Sequence, residues 1–317
     1  MIRLTELKLP LSALPAVIRR AADAPTETDA DRAPLAHPIE ALKRLCAQAL
    51  GIEVSAIDDL QVFKRSFDAR KAQLLAVFIV DIKLGDPALE ASLLAQFKDH
   101  PHIHPTPDMA YRLVAQAPQN QALRPVVVGF GPCGIFAALI LAHMGFKPIV
   151  LERGKKVRER TQDTWGLWRK RVLNPESNVQ FGEGGAGTFS DGKLWSQIKD
   201  PRHLGRKVME EFVKAGAPPE ILVEAHPHIG TFKLVKVVEN LRAQIIALGG
   251  EIRFEQRVTD LQVASDTHGR QVRGLRVLDQ ATGQSYDLRA DQVVLALGHS
   301  SRDTFAMLHE RGVAMEA

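Results

Sequence analysis

Gly129, Gly131 and Gly134 stand as G-x-G-x-x-G within "VVVGFGPCGIFAALILAHMGFKPIVLERG", residues 126–154. That spacing serves the holding of a pyrophosphate. The first glycine allows a tight turn, the second lets the backbone approach the phosphates, and the third lets a helix pack closely on a strand. The phosphates then sit at the helix N-terminus, where N–H groups have no intrahelical partner. Glu152 comes 18 positions after the last glycine and ends the next apolar run. A carboxylate there accepts hydrogen bonds from a ribose diol and repels a 2′-phosphate. Phe130, Pro132 and Cys133 complete the turn, and Arg153 follows the acid. Cys133 reads as a small buried filler, because no second cysteine lies near it.

Two further segments bear on which dinucleotide is held. The first, "NVQFGEGGAGTFSDGKLW" (178–195), concentrates Gly182, Gly184, Gly185, Ala186 and Gly187 in one loop. It resembles the loop that passes the pyrophosphate and isoalloxazine in flavoproteins with two dinucleotide domains. The second runs from "GGEIRFEQRVTDLQV" (249–263) to "DQVVLALG" (291–298). It reads as a strand, a three-stranded meander and a buried strand ending in Ala296-Leu297-Gly298. In such flavoproteins the last strand ends in an A-T-G motif near the flavin; here Leu297 replaces the threonine, and the glycine carries the close approach. The turn residue Val258 resembles the position whose backbone meets the adenine. Together these segments select FAD.

Other chemistry is thinner. Lys193 could face the flavin, where a cation stabilises the reduced anion. His228 lies in a loop before the helix "FKLVKVVENLRAQIIALG", whose N-cap reads as Thr231. These two are the candidate catalytic residues. Gly187, Gly192 and Lys193 match most of a P-loop, but Leu194 stands where a hydroxyl would bind Mg²⁺. "HPHIH" (100–104) alternates histidines, yet its prolines and lack of acids favour a connector, and no metal site is expected. "RGKKVRERTQDTWGLWRKR" (153–171) interleaves basic residues with Trp165 and Trp168. That pattern fits single-stranded nucleic acid, but a solvated helix with one apolar stripe is the preferred reading.

The elements that position these residues follow from periodicity. "PVVVGF" is a continuous apolar run, as for a parallel strand buried on both faces. "IFAALILAHMG" is a helix ended by Gly145, and "KPIVLE" is the next strand, making a βαβ unit. Upstream, "IRLTELKL" alternates like a strand. "HPIEALKRLCAQALG" places Ile39, Leu42, Leu45, Cys46, Ala49 and Leu50 on one helical face. "LQVFKRSF" and "AQLLAVFIVDIKL" read as strands joined by the basic turn "DARK", and residues 21–38 as a loop. Residues 98–125 read as a connector with one extended segment. The fold class is therefore α/β: a small α+β domain over 1–120, then a three-layer Rossmann-like domain with a parallel sheet and a β-meander over 121–317.

The chain has 317 residues, 45% hydrophobic and 25% charged, with a net charge of +4 and two cysteines. This is an ordinary globular balance that calls for neither nucleic acid nor an acidic membrane. The cysteines build no disulfide framework, and the longest apolar runs fall short of the roughly 20 residues a membrane span needs. A soluble, cytoplasmic protein is expected. G-x-S-x-G, C-x-x-C and paired-carboxylate motifs are absent, so hydrolase, zinc and dithiol chemistry have no support.

The sequence resembles the uncharacterised family of bacterial FAD-dependent dehydrogenases with an appended N-terminal domain. The likeness rests on "KRSFDARK" (64–71), "RPVVVGFGPCGIFAALILA" (124–142), "PESNVQFGEGGAGTFSDGKL" (175–194), "KDPRHLGRKVMEEFVKAGAP" (199–218), "HPHIGTFKLVKVVENLR" (226–242) and "VVLALGHSSRDTF" (293–305). It implies an FAD-binding oxidoreductase acting on a small molecule or electron carrier, with NAD(P)H open as the donor. A complete FAD domain of this type closes with one more strand and a glycine–acidic turn, and neither is found. The resemblance thus implies a chain that stops within the fold. Two alternatives stay open: a non-catalytic flavin-binding fragment, and a flavoprotein acting on RNA through its N-terminal domain.

Overall fold

The computed structural model describes residues 1–15, 36–70, 72–196, 198–267 and 269–316. Most of the expected loop at 21–38, and the last residue of the "DARK" turn, lie outside them. The described chain runs β1 (Ile2–Pro10), α1 (Ile39–Leu50), β2 (Ile57–Asp68), β3 (Leu75–Leu84), α2 (Pro87–Gln96), β4 (Ile103–Pro105) and β5 (Val126–Val128). It continues through α3 (Pro132–His143), β6 (Ile149–Leu151), α4 (Val157–Lys170), α5 (Leu204–Lys214), α6 (Thr231–Ala247) and β7 (Glu251–Arg253). It ends with β8 (Gln256–Asp266), β9 (Gly269–Asp279), β10 (Ser285–Arg289), β11 (Val293–Leu295) and α7 (Arg302–Glu310).

Two compact units result. The first joins Met1–Ala110 to Lys193–Val213 and Pro218–His228; the second comprises Tyr111–Gly192, Lys214–Ala217 and Ile229–Ala317. The sequence assigned residues 193–228 to the nucleotide-binding domain, whereas most of them pack in the first unit. The reason is non-local pairing: Arg65 N–H donates to Val223 O and Ala225 N–H to Arg65 O, which adds this late segment to the β2 edge.

In the first unit the sheet order is β2-β3-β1-β4, and its pairings are antiparallel. The apolar face of α1 covers it, with Leu42, Cys46 and Leu50 packed among Ile2, Leu4, Phe78, Val80 and Ile82. Ala47 takes the buried place expected for Ala49, which is exposed. Gly51 caps α1 at φ 67°, a left-handed conformation natural to glycine. Burial pushes the Cys46 thiol up to about 12, so that cysteine is structural.

In the second unit the parallel sheet has the order β11-β5-β6-β7. Helices α3 and α6 pack on one face. The β10-β9-β8 meander covers the other, with Val258, Leu261, Leu275 and Val277 against Val126, Val128, Ile149 and Leu151. The α/β class with a parallel sheet is therefore observed. β5 is wholly buried, as its continuous apolar run requires. β11 was expected to be buried, but it is the sheet's edge, and Leu295 is 39% exposed. Val258 lies inside β8, not in a turn.

α7 is clasped to the meander by Arg311, whose guanidinium donates to both Asp260 carboxylate oxygens. These hydrogen bonds hold the Asp260 carboxyl below the usual carboxylate range. A depressed folded-state pKa adds stability above the unfolded value of about 4 and loses it as pH falls further. Asp260→Asn is therefore expected to flatten the acid limb of the Tm–pH curve below about pH 4.5, read by thermal unfolding. An unchanged limb would show that the clasp contributes nothing.

Candidate dinucleotide-binding site

The carboxyl ends of β5, β6 and β11 are held level. Gly129 N–H donates to Leu151 O at 2.8 Å, and Ala296 N–H to Val128 O at 2.8 Å. In α/β sheets, ligands bind in the crevice outside such ends. A cavity of about 290 Å³ opens there, lined by the glycine turn, the ends of β6 and β11, the start of β8 and the 180–187 loop. Its volume lies near the lower end of the roughly 300–1,000 Å³ usual for ligand sites.

Each glycine of the turn has its own constraint. Gly129 adopts φ 99°, and a Cβ there would sit 2.4 Å from Ala296 O. At Gly134 a Cβ would meet Gly129 O at 1.9 Å, so only glycine lets α3 pack on the turn. Gly131 is the N-cap of α3 with ordinary extended backbone, and a Cβ would find Gly185 Cα at 3.6 Å, a normal contact. The freedom of Gly131 therefore matters only to something approaching from the cavity. Pro132 occupies N1, where its missing N–H costs nothing. Phe130 is fully buried under the turn. Cys133, expected to be buried, is exposed and lines the cavity, because the first turn of α3 faces it.

The glycine-rich loop lies directly on that turn. Gly184 N–H donates to Phe130 O at 2.9 Å. A Cβ on Gly185 would strike Pro132 Cδ at 2.9 Å. After Gly185, a 3₁₀ turn over Ala186–Phe189 begins, and Gly185, Ala186 and Gly187 line the cavity. The N-terminus of α3, with N–H groups that have no intrahelical partner, and the glycine-rich backbone of 185–187 thus open onto one cavity.

Glu152 lines the cavity but is only 4% exposed. Its Oε2 accepts from Phe130 N–H at 2.7 Å, and its Oε1 from Gly154 N–H at 2.8 Å and Gly182 N–H at 3.0 Å. One carboxylate therefore ties three glycine-bearing segments together. At the mouth, Arg153 bridges Glu176 and Asp303 and lies 4.3 Å over the Phe181 ring, while Arg257 holds the other oxygen of Glu176. Val258 and Ala296 are buried in the wall. Gly298 lines the cavity at φ 67° with open space where a Cβ would be, so within the protein its constraint is backbone conformation.

α4 differs from its sequence reading. Trp165 and Trp168 do not form a buried stripe; they are 48% and 56% exposed, and Trp168 meets Phe189 edge-on at 5.9 Å. The buried face is Val157, Arg160 and Thr164. Neither Arg160 nor the fully buried Glu183 was singled out from sequence, because a buried charge looks like a solvated one in a string of charges. Glu183 accepts from Val157 N–H at 2.8 Å and from Arg242 at 2.7 Å. Burial pushes its carboxyl up against those attractions.

Lys193 and His228 pair across an isolated antiparallel bridge in the first unit, and neither lines this cavity. Lys193 thus sits in a backbone bridge, and Gly192 O beside it accepts from Ile229 N–H at 3.1 Å. Thr231 is the first helical residue, with Gly230 as N-cap, and its hydroxyl donates to Ser190 O at 2.8 Å. The "HPHIH" histidines hold local bonds, His102 to Thr5 and His104 to Pro101 O. Among the described residues no His, Cys, Asp and Glu cluster could hold a metal. Among them, too, no helix is long and apolar enough to cross a membrane.

Among solved structures, THI4 of Thermovibrio ammonificans is similar at a TM-score of 0.42 and 16% identity, over 61% of this chain and 64% of that one. The 3-ketosteroid-delta4-(5alpha)-dehydrogenase of Rhodococcus jostii RHA1 gives 0.35 and 16%, over 57% and 47%. The flavin-dependent monooxygenase PieE, solved with FAD and substrate, gives 0.31 and 20%, over 63% and 33%. Residues 1–83 match a family described as Domain of unknown function (DUF8436). An uncharacterized protein of Clostridium beijerinckii is 42% identical over 282 residues, covering 87% of this chain and 49% of that protein. The chain spans about half the length of the curated relative it matches.

Proposed function

We propose that the second unit binds FAD and that the chain serves a flavin-dependent oxidoreductase acting on a small molecule or electron carrier. The observation that carries this reading is the meeting of α3 and the Ala186–Phe189 turn across the Gly131–Gly185 contact. A diphosphate is the ligand that the N-terminus of α3 facing a bare glycine backbone suits. Gly129, Gly131 and Gly134 form the turn that accepts it, with Gly182, Gly184, Gly185, Ala186 and Gly187 facing them. Val258 walls the adenine side, and Ala296 with Gly298 the opposite strand end. Glu152 holds the turn, and its remaining lone pairs are the ribose acceptors in this reading. Arg153 screens the mouth through its ion pairs. Bound FAD supplies hydride or electron transfer, and the protein supplies position and electrostatics.

Titration of the chain with FAD, followed by flavin fluorescence, tests the site. Saturable binding of one FAD, displaced by ADP and not by inorganic phosphate alone, is expected. Anaerobic addition of NADH or NADPH to the loaded protein then tests the oxidoreductase. Bleaching of the flavin band by one of them would name the donor class; binding without reduction by any donor would favour a non-catalytic fragment.

A further inference from the structure

The glycine-rich loop has almost no side chains with which to hold its own shape, yet it makes one wall of the cavity. The chain supplies the missing scaffold from beneath. Arg160 is fully buried on α4. Its Nε donates to Asn178 O at 2.8 Å, Nη2 to Val179 O at 2.8 Å, and Nη1 to Glu183 O at 2.6 Å and more loosely to Thr188 Oγ1 at 3.4 Å. The guanidinium carbon also lies 4.8 Å over the Phe189 ring. None of these partners is a carboxylate. A buried cation hydrogen-bonded only to neutral oxygens is costly; burial pulls its pKa down to about 10 against the attraction of the Glu152 and Glu183 carboxylates.

Both ends of the loop converge on that one side chain. A Cβ on Gly182 would fall 2.3 Å from Arg160 Cδ, so Gly182 is glycine because the arginine passes beneath it. Gly182 N–H is in turn held by Glu152, the carboxylate that fixes the first glycine turn. One buried cation and one buried anion thus set the two glycine segments against each other before any ligand arrives. Arg160 does not line the cavity.

We infer that Arg160 is a positioning residue for the diphosphate of the dinucleotide, acting through the 178–188 loop; this rests on the FAD reading above. A lysine keeps the charge but cannot direct bonds to three carbonyl oxygens in a fixed fork. Its loss loosens the wall that faces Gly131 and leaves the adenosine side, built on β6 and β8, as it was.

The test compares wild type, Arg160→Lys and Thr188→Val for FAD by fluorescence titration and for adenosine by ligand-observed NMR, with circular dichroism to check folding. Arg160→Lys is expected to weaken FAD at least about tenfold, the size of one or two lost buried hydrogen bonds, with adenosine unchanged. Thr188→Val, which removes the weak fourth bond together with the hydroxyl's own weak bond to Glu183 O at 3.4 Å, is expected to weaken FAD about threefold with adenosine unchanged. It decides the matter if Arg160→Lys does not fold. FAD affinity equal to wild type, or equal losses for FAD and adenosine, would overturn the inference. A wild-type chain that ignores FAD would remove the FAD reading itself, and this inference with it.

Discussion

Gly131→Asp is expected to leave the second unit folded and to abolish FAD binding. The backbone there is extended, and a new Cβ meets only Gly185 Cα at ordinary contact distance. What the substitution changes is the space in front of the first turn of α3, which receives a carboxylate where the diphosphate belongs. Two unit charges about 4 Å apart at an effective dielectric of about 20 repel by roughly 4 kcal/mol. That is about a thousandfold in affinity. Circular dichroism and flavin titration on one sample separate the two effects. Gly129→Ala is the contrasting control, because its positive φ and the overlap with Ala296 O act on the fold itself. If Gly131→Asp bound FAD as wild type does, the diphosphate would lie elsewhere.

Glu152→Ala is expected to cost stability before it costs recognition. Its carboxylate accepts the N–H groups of Phe130, Gly154 and Gly182, and all three would be left buried without a partner. An orphaned buried donor costs roughly 1–3 kcal/mol, so a loss of about 4 kcal/mol is expected after partial relaxation. A chemical unfolding curve on the ligand-free protein measures it. A variant as stable as wild type but blind to FAD would instead assign Glu152 to the ribose alone.

The legible parts of this chain are those whose signal is local. The run "VVV", the three spaced glycines and the apolar helix after them lie within a few residues of one another, and each is found where the spacing puts it. The meander was legible because its strands follow one another through short turns. α2 has no counterpart in the sequence reading, although Asp86 caps it by accepting from Ala88 N–H and Pro87 stands at the first helical position. That pair is a start signal the sequence displays. Arg160 was not legible in the same way: nothing in "VRERTQDTW" distinguishes the arginine that enters the core from its neighbours on the surface. Trp165 and Trp168 stay exposed, so the apolar stripe expected of that solvated helix is not theirs. The pairing of Lys193 with His228 joins segments distant in sequence, which periodicity cannot see.

The most direct measurement is the absorbance spectrum of the purified chain, before and after added FAD, with the heat-released cofactor identified by chromatography. Flavin bands near one equivalent, carried from expression or taken up on addition, are expected, with FAD as the released species. A folded chain that stays colourless and takes up no FAD would rule out a flavin site in the second unit.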